Sequence, residues 1–214
     1  MKLSAEVALK LLQINAIRLS PQNPFTWASG MLSPIYCDNR LTLSYPGIRT
    51  FITEAFATAA EQFAPFDYVA GVATAGIAHG ALLAQHLEKP FVYVRPSKKD
   101  HGRQNQIEGK ISPGDSVLVI EDLISTGGSS LKAVDALRDE GCVVRGVLAI
   151  FQYGFAEARQ RFAEHNCPFD TLSDYETLIS AAAQQGTLGE TDLTLLGSWH
   201  LDPRAWTPQS TLET

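Results

Sequence analysis

The sequence predicts an α/β protein built on a doubly wound parallel sheet, with a small N-terminal hood outside it. Three observations carry that reading. Between Ile48 and Phe151, short apolar runs alternate with longer stretches of three- and four-residue periodicity, the pattern of strands joined by right-handed helical crossovers. The run "SVLVIEDL" stays apolar up to its two acids, as in a strand buried on both faces. The segment "PFTWASGMLSPIYCDNR" has no clean period and reads as a structured flap beside the sheet.

Taken in order, "IRTFITEAFATAAEQF" sets Ile48, Phe51, Ile52, Ala55, Phe56, Ala59 and Phe63 on one face of an amphipathic helix. "YVAGVA" is a strand, "GIAHGALLAQHLE" a helix and "FVYVRP" a second strand. After a polar loop, "SVLVIEDL" is the third strand. Ser129 or Ser130 is expected to cap the next helix, on which Leu131, Val134 and Leu137 align before Gly141 stops it. "CVVRGVLAIF" is the fourth strand, and a capping box in "SDYE", Ser173 to Glu176, is expected to start a C-terminal helix. Residues 1–47 would then form an N-terminal helix and hood, and residues 48–214 the α/β core with C-terminal helices, within one structural domain.

Composition limits the chemistry. The 214 residues are 45% hydrophobic and carry a net charge of −6, which argues against a broad surface for nucleic acid or an anionic membrane. An anionic ligand must be held by local design. No apolar stretch reaches the roughly 18 residues of a membrane span, and Glu6 interrupts the apolar phase of the N-terminus, so a cytoplasmic protein is expected. Cys37, Cys142 and Cys167 are widely spaced without a C-x-x-C, which fits reduced thiols.

"GVATAGIA" has the glycine spacing of a Walker A loop, but Ile77 and Ala78 stand where Lys and Ser/Thr would be needed. The sequence also lacks G-x-G-x-x-G, G-x-S-x-G and H-E-x-x-H. What remains is "VLVIEDLISTGGSS", Val117 to Ser130, in which a strand ends in Glu121 and Asp122 and a hydroxyl and glycine run leads into a helix. Ser125, Thr126, Gly127 and Gly128 can offer N–H groups and hydroxyls to a terminal phosphate. The two acids suit a sugar phosphate, because carboxylates accept hydrogen bonds from vicinal hydroxyls and order a Mg²⁺ shell. An ordinary strand-to-helix turn is the alternative. "RPSKKDHGRQNQIEGK", Arg95 to Lys110, has a local charge of +3 and the length of a functional lid, against the alternative of a solvated loop. Beside a sugar-phosphate site, it suggests a polyphosphate leaving group met by Lys99 and His101.

These residues resemble the type I phosphoribosyltransferases. "FTWASG", "SPIY" and "KKDHG" resemble the orotate branch of that family, which serves pyrimidine biosynthesis. The resemblance runs from Pro24 through "LSDYETL". It implies transfer of phosphoribosyl from 5-phosphoribosyl 1-diphosphate to orotate, with Mg²⁺ as cofactor held mainly through substrate and water. Glu121 and Asp122 would contact the ribose hydroxyls, and Leu123, Ile124, Ser125, Thr126, Gly127, Gly128 and Ser129 would wrap the 5′-phosphate. Ser125 would also lie near the orotate ring, which Pro34, Ile35 and Tyr36 of the hood would cover. Ala73, Thr74, Ala75 and Gly76 would face the diphosphate through a non-proline cis peptide. Arg95, Lys99 and His101 would bind it, with Lys99, His101 and Asp122 carrying the catalytic roles. Lys99 and His101 would reach into the neighbouring subunit of a homodimer, and neither nucleic acid nor membrane would be a partner.

Ala28, Thr74, Ala75, Pro96 and Tyr153 stand where the best-known bacterial version has charged or aromatic residues, and Lys98 and Arg103 are candidate replacements for lost charge. The acidic loop is also shared by purine-type phosphoribosyltransferases. A sensor of phosphoribosyl diphosphate and an inactive binding module are the further alternatives.

Overall fold

The computed structural model describes residues 2–27, 29–97 and 106–208. The N-terminal part contains α1 (Leu3–Gln13), β1 (Ile17–Leu19), β2 (Phe25–Thr26), β3 (Leu32–Ser33), β4 (Ile35–Cys37) and a 3₁₀ helix at Asn39–Ser44. β1 pairs antiparallel with β4, and β2 with β3. The aperiodic flap is thus two small ribbons outside the main sheet, as expected.

There follow α2 (Pro46–Ala60), β5 (Tyr68–Val72), α3 (Ala75–His86), β6 (Phe91–Val94), β7 (Ile107–Glu108), β8 (Ser116–Ile124), α4 (Gly128–Asp139) and β9 (Val143–Gln152). The chain continues through α5 (Ala156–Glu164), β10 (Phe169–Asp174), α6 (Tyr175–Gln184) and α7 (Glu190–Leu201). The sheet order is β10-β9-β8-β5-β6-β7. Every pair is parallel except β6 with the two-residue edge strand β7. From β5 the chain steps outward to β6 and later resumes on the other side at β8. The strand order therefore reverses between β5 and β8, and a ligand crevice is expected outside the carboxyl ends of those two strands.

Alternation along the strands supplies two cores. Leu118 and Ile120 of β8 pack with α1, α2, α3, α6 and α7 residues such as Leu11, Phe56, Leu83, Leu178 and Trp199. Val117 and Val119 point the other way, against Leu131, Val134 and Leu137 of α4 and Phe162 of α5. Each of those buried α4 side chains contributes about 2 kcal/mol. The predicted stop also holds. Gly141 adopts φ +81°, its N–H reaches Arg138 O at 2.9 Å, and Cys142 N–H reaches Leu137 O at 3.0 Å.

Two expected caps are corrected. Gly127, at φ +79°, is the N-cap of α4, and no side chain caps that end. The hydroxyls of Ser129 and Ser130 are drawn instead to Glu121. At α6 the cap is Asp174, which accepts from Thr177 N–H at 2.8 Å, while Ser173 is buried in β10. The three cysteines are free thiols. No helix among the described residues is long and apolar enough to cross a membrane.

Candidate active site

The β5–α3 turn is built by close backbone approach. The Ala73–Thr74 peptide is cis. A Cβ on Gly71 would stand 2.7 Å from Gly76 O, and one on Gly76 would overlap the carbonyl oxygen of Ile120. Two glycines with the spacing of a nucleotide loop are therefore used to seat the Ala73–Gly76 turn directly on β8.

At the end of β8 the two acids have different surroundings. Glu121 is 5% exposed. Its Oε1 accepts from Asp122 N–H at 3.1 Å, and its Oε2 accepts from the hydroxyls of Ser129 (3.0 Å) and Ser130 (3.3 Å). It braces the start of α4 from below. Asp122 is half-buried, and its main-chain carbonyl accepts from Asn39 Nδ2 at 2.7 Å. Burial raises both carboxyls above the usual carboxylate range, and the neighbouring charge of Asp122 pushes Glu121 further. Together they hold a proton more readily than isolated carboxylates.

Beyond the acids, Ser125 and Thr126 line an open cavity of about 1220 Å³, whose lining also includes Trp27, Gly154, Phe155 and His200. Gly127 in its left-handed conformation turns the chain into α4, whose first N–H groups are left without a side-chain partner at the crevice.

The remaining expected residues are placed as follows. Arg95 follows β6 and is clamped to the far stem of its loop: its N–H donates to Gln106 O (2.9 Å), its carbonyl accepts from Gln106 Nε2 (2.8 Å), and Nη1 lies 3.8 Å from Glu108. Ile35 is fully buried, and its carbonyl accepts from Trp27 Nε1 (3.1 Å) and Ser33 Oγ (2.8 Å). Its side chain belongs to the core. Tyr36 is half-buried, with its ring 5.7 Å from that of Phe25 and the Arg18 guanidinium 5.0 Å above it. Ala28, Lys98, Lys99, His101 and Arg103 lie outside the described residues.

The phosphoribosyl transferase domain family matches residues 43–175. An orotate phosphoribosyltransferase of Bacteroides fragilis is 52% identical over 200 residues, covering 93% of this chain and 94% of its own length. That of Bacillus caldolyticus is 53% identical over 202 residues, with 94% and 98% covered. Among solved structures, the orotate phosphoribosyltransferase from Aeropyrum pernix matches with a TM-score of 0.74 at 29% identity, over 86% of this chain and 99% of that one. The chain belongs to the orotate phosphoribosyltransferase family.

Sequence reasoning left two parts of this orotate phosphoribosyltransferase site unread. Asn39 joins the hood to the acid strand, yet no periodicity or motif marks it. The other is an aromatic wall at the end of β9. Tyr153 packs 5.2 Å from Trp27, 5.4 Å from Phe155 and 5.9 Å from Trp199, centroid to centroid. His200 of α7 stacks on Tyr175 at 4.4 Å and places Nε2 2.7 Å from the Tyr153 carbonyl. Tyr153 is thus packed among the rings of Trp27, Phe151, Phe155 and Trp199.

Proposed function

We propose that this chain transfers the phosphoribosyl group of 5-phosphoribosyl 1-diphosphate to orotate, releasing diphosphate and orotidine 5′-monophosphate. The observation that carries the reading is the Glu121–Asp122 pair leading into the Ser125–Ser129 turn at the switch point of the sheet, in a chain of this family. The 5′-phosphate is held by N–H groups and hydroxyls between Leu123 and Ser129 at the start of α4. Asp122 meets the ribose hydroxyls. Glu121, engaged by Ser129 and Ser130, fixes the loop that does the holding. The diphosphate lies between the Ala73–Gly76 turn and Arg95, with Lys99 and His101 neutralising and protonating it as it leaves. The C1 carbon becomes oxocarbenium-like, and a ring nitrogen of orotate attacks from the opposite face. Ser125 and the hood residue Tyr36 position the base, while Ile35, with its side chain in the core and its main chain bonded to Ser33 and Trp27, fixes the hood beneath Tyr36.

Magnesium fits the donor set as a substrate-borne ion. Among the described residues no three His, Cys, Asp or Glu side chains gather as a cage, and Mg²⁺ commonly binds through substrate phosphates and water with one or two carboxylates. Asp122 would be the carboxylate to hold it, and the bound ion would supply charge neutralisation at the leaving group. The same reading makes the enzyme a cytoplasmic homodimer in which Lys99 and His101 serve the neighbouring subunit's site.

The test is the ultraviolet loss of orotate absorbance on adding phosphoribosyl diphosphate and Mg²⁺, run beside adenine, hypoxanthine and uracil. Turnover of orotate alone, abolished by chelation and strongly reduced in Lys99→Ala and Asp122→Asn, is expected. Turnover of a purine, or of no base, would overturn the assignment. Mixing Lys99→Ala with Asp122→Asn protein should restore part of the activity if the lid is shared.

A further inference from the structure

The loop from Leu123 to Ser130 contains no Lys or Arg, although the terminal phosphate of a ribose 5-phosphate unit carries close to two negative charges at neutral pH. The structure brings a cation to it from α5. An added Cβ on Gly128, the first residue of α4, would stand 3.5 Å from Nη1 of Arg161 and 3.9 Å from Oγ1 of Thr126. The other terminal nitrogen of the same guanidinium, Nη2, is 3.0 Å from Oε1 of Glu157. Glu157 Oε2 is in turn 3.3 Å from Nη2 of Arg204, which follows α7. One carboxylate is thus shared by two guanidinium groups, leaving an excess positive charge beside the loop. Among the described residues no acceptor takes Arg161 Nη1. The Glu157 contact uses one arm of the fork and turns the other toward Gly128.

We propose that Arg161 is a binding residue for the 5′-phosphate, held in place by Glu157 and Arg204. The inference rests on the reading above that the Ser125–Ser129 turn holds that phosphate. It assigns the missing charge to a residue outside the loop, and it gives the segment after α7 a part in the site. Arg204 engages the second oxygen of Glu157 and so fixes that carboxylate, while the pairing of Glu157 with Arg161 through Nη2 leaves Nη1 facing the loop. A guanidinium with one arm on a carboxylate and one on phosphate is a favourable geometry for its planar fork.

The test measures binding of ribose 5-phosphate and of inorganic diphosphate separately, by calorimetry, together with KM for phosphoribosyl diphosphate and for orotate. In Arg161→Gln, ribose 5-phosphate affinity should fall about tenfold and KM for phosphoribosyl diphosphate should rise similarly, with diphosphate binding and KM for orotate unchanged. Arg161→Lys should recover part of the loss. Equal weakening of both ligands, or unchanged ribose 5-phosphate binding in a folded Arg161→Gln protein, would overturn the proposal. Because the calorimetric arm needs no turnover, the proposal and the reaction can fail separately. A protein that binds ribose 5-phosphate through Arg161 but leaves orotate untouched would retain the former and reject the latter.

Discussion

Asn39 Nδ2 donates to the main-chain carbonyl of Asp122 at 2.7 Å, a bond between the 3₁₀ helix of the hood and the end of the acid strand. Asn39 is fully buried, and its Oδ1 accepts from Cys37 Sγ at 3.4 Å. Asn39→Ala would leave the Asp122 carbonyl without its partner, a loss of about 1–3 kcal/mol. Since the bond sets the position of the acid and not its charge, kcat should fall on the order of tenfold or more, beside a thermal midpoint lowered by about 2–12 °C. Steady-state kinetics beside a melting curve would check this, and a large loss of stability at unchanged kcat would sink it.

The acid pair predicts a pH profile. Burial raises Glu121 and Asp122, and Asp122 raises Glu121 further. A fully ionised pair is therefore reached at higher pH than for ordinary carboxylates, and kcat/KM for phosphoribosyl diphosphate should climb with pH on the alkaline side of the usual carboxylate range. Removing the Asp122 charge lowers Glu121, so the limb in Asp122→Asn, measured on the residual activity, should move to lower pH. A limb that stays in place in the variant would argue against the pair.

His79 of α3 is buried, with Nε2 3.4 Å from Thr42 Oγ1 and no partner for Nδ1 among the described residues. Desolvation holds its pKa at about 4, below the ordinary 6.5. The unfolded chain then binds the proton more readily, so this contribution to stability is complete above the unfolded value. It declines as pH falls from 6.5 and levels off below about 4, a loss of about 3 kcal/mol. Urea titrations across that window should show a shallower pH dependence in His79→Gln than in the parent. Parallel curves would contradict the assignment.

Gly76→Ala forces a methyl group against the Ile120 carbonyl, backbone on backbone, where no side chain can give way. The cost is on the order of 3 kcal/mol, which for a chain of this size lowers the melting midpoint by about 6–12 °C. Gly47→Ala, where nothing lies within 4 Å of the new carbon, is the control and should leave the midpoint close to that of the parent.

The sequence disclosed the central architecture because periodicity is decided locally. Ile52, Ala55 and Phe56 had to share a helical face, and "SVLVIEDL" had to be a strand covered on both sides. β10 was invisible: "FDTLSD" is a polar strand whose pairing partner β9 lies elsewhere in the chain, and its Ser and Asp resemble a helix cap. The roles of Ser129 and Ser130 were misjudged for a related reason. Capping rules describe a helix end in isolation, whereas the Glu121 carboxylate, on the strand that leads into α4, competes for those hydroxyls and leaves the cap to Gly127. At the candidate site, a contiguous motif singles out Glu121 to Ser129. The contacts of Asn39, Arg161 and His200 beside it carry no such motif, because each is made with an element distant in sequence.

The peptide groups of Tyr153 join two parts of the molecule. Its N–H reaches Ile124 O of β8 at 3.2 Å, and its carbonyl faces His200 Nε2 of α7 at 2.7 Å. A tightening of the loop after β8 would then reach, through one residue, a helix that carries none of the acid or phosphate-loop groups. Hydrogen exchange should register it: amides of α7 ought to slow when the crevice is filled, making the C-terminal helix a remote reporter of occupancy.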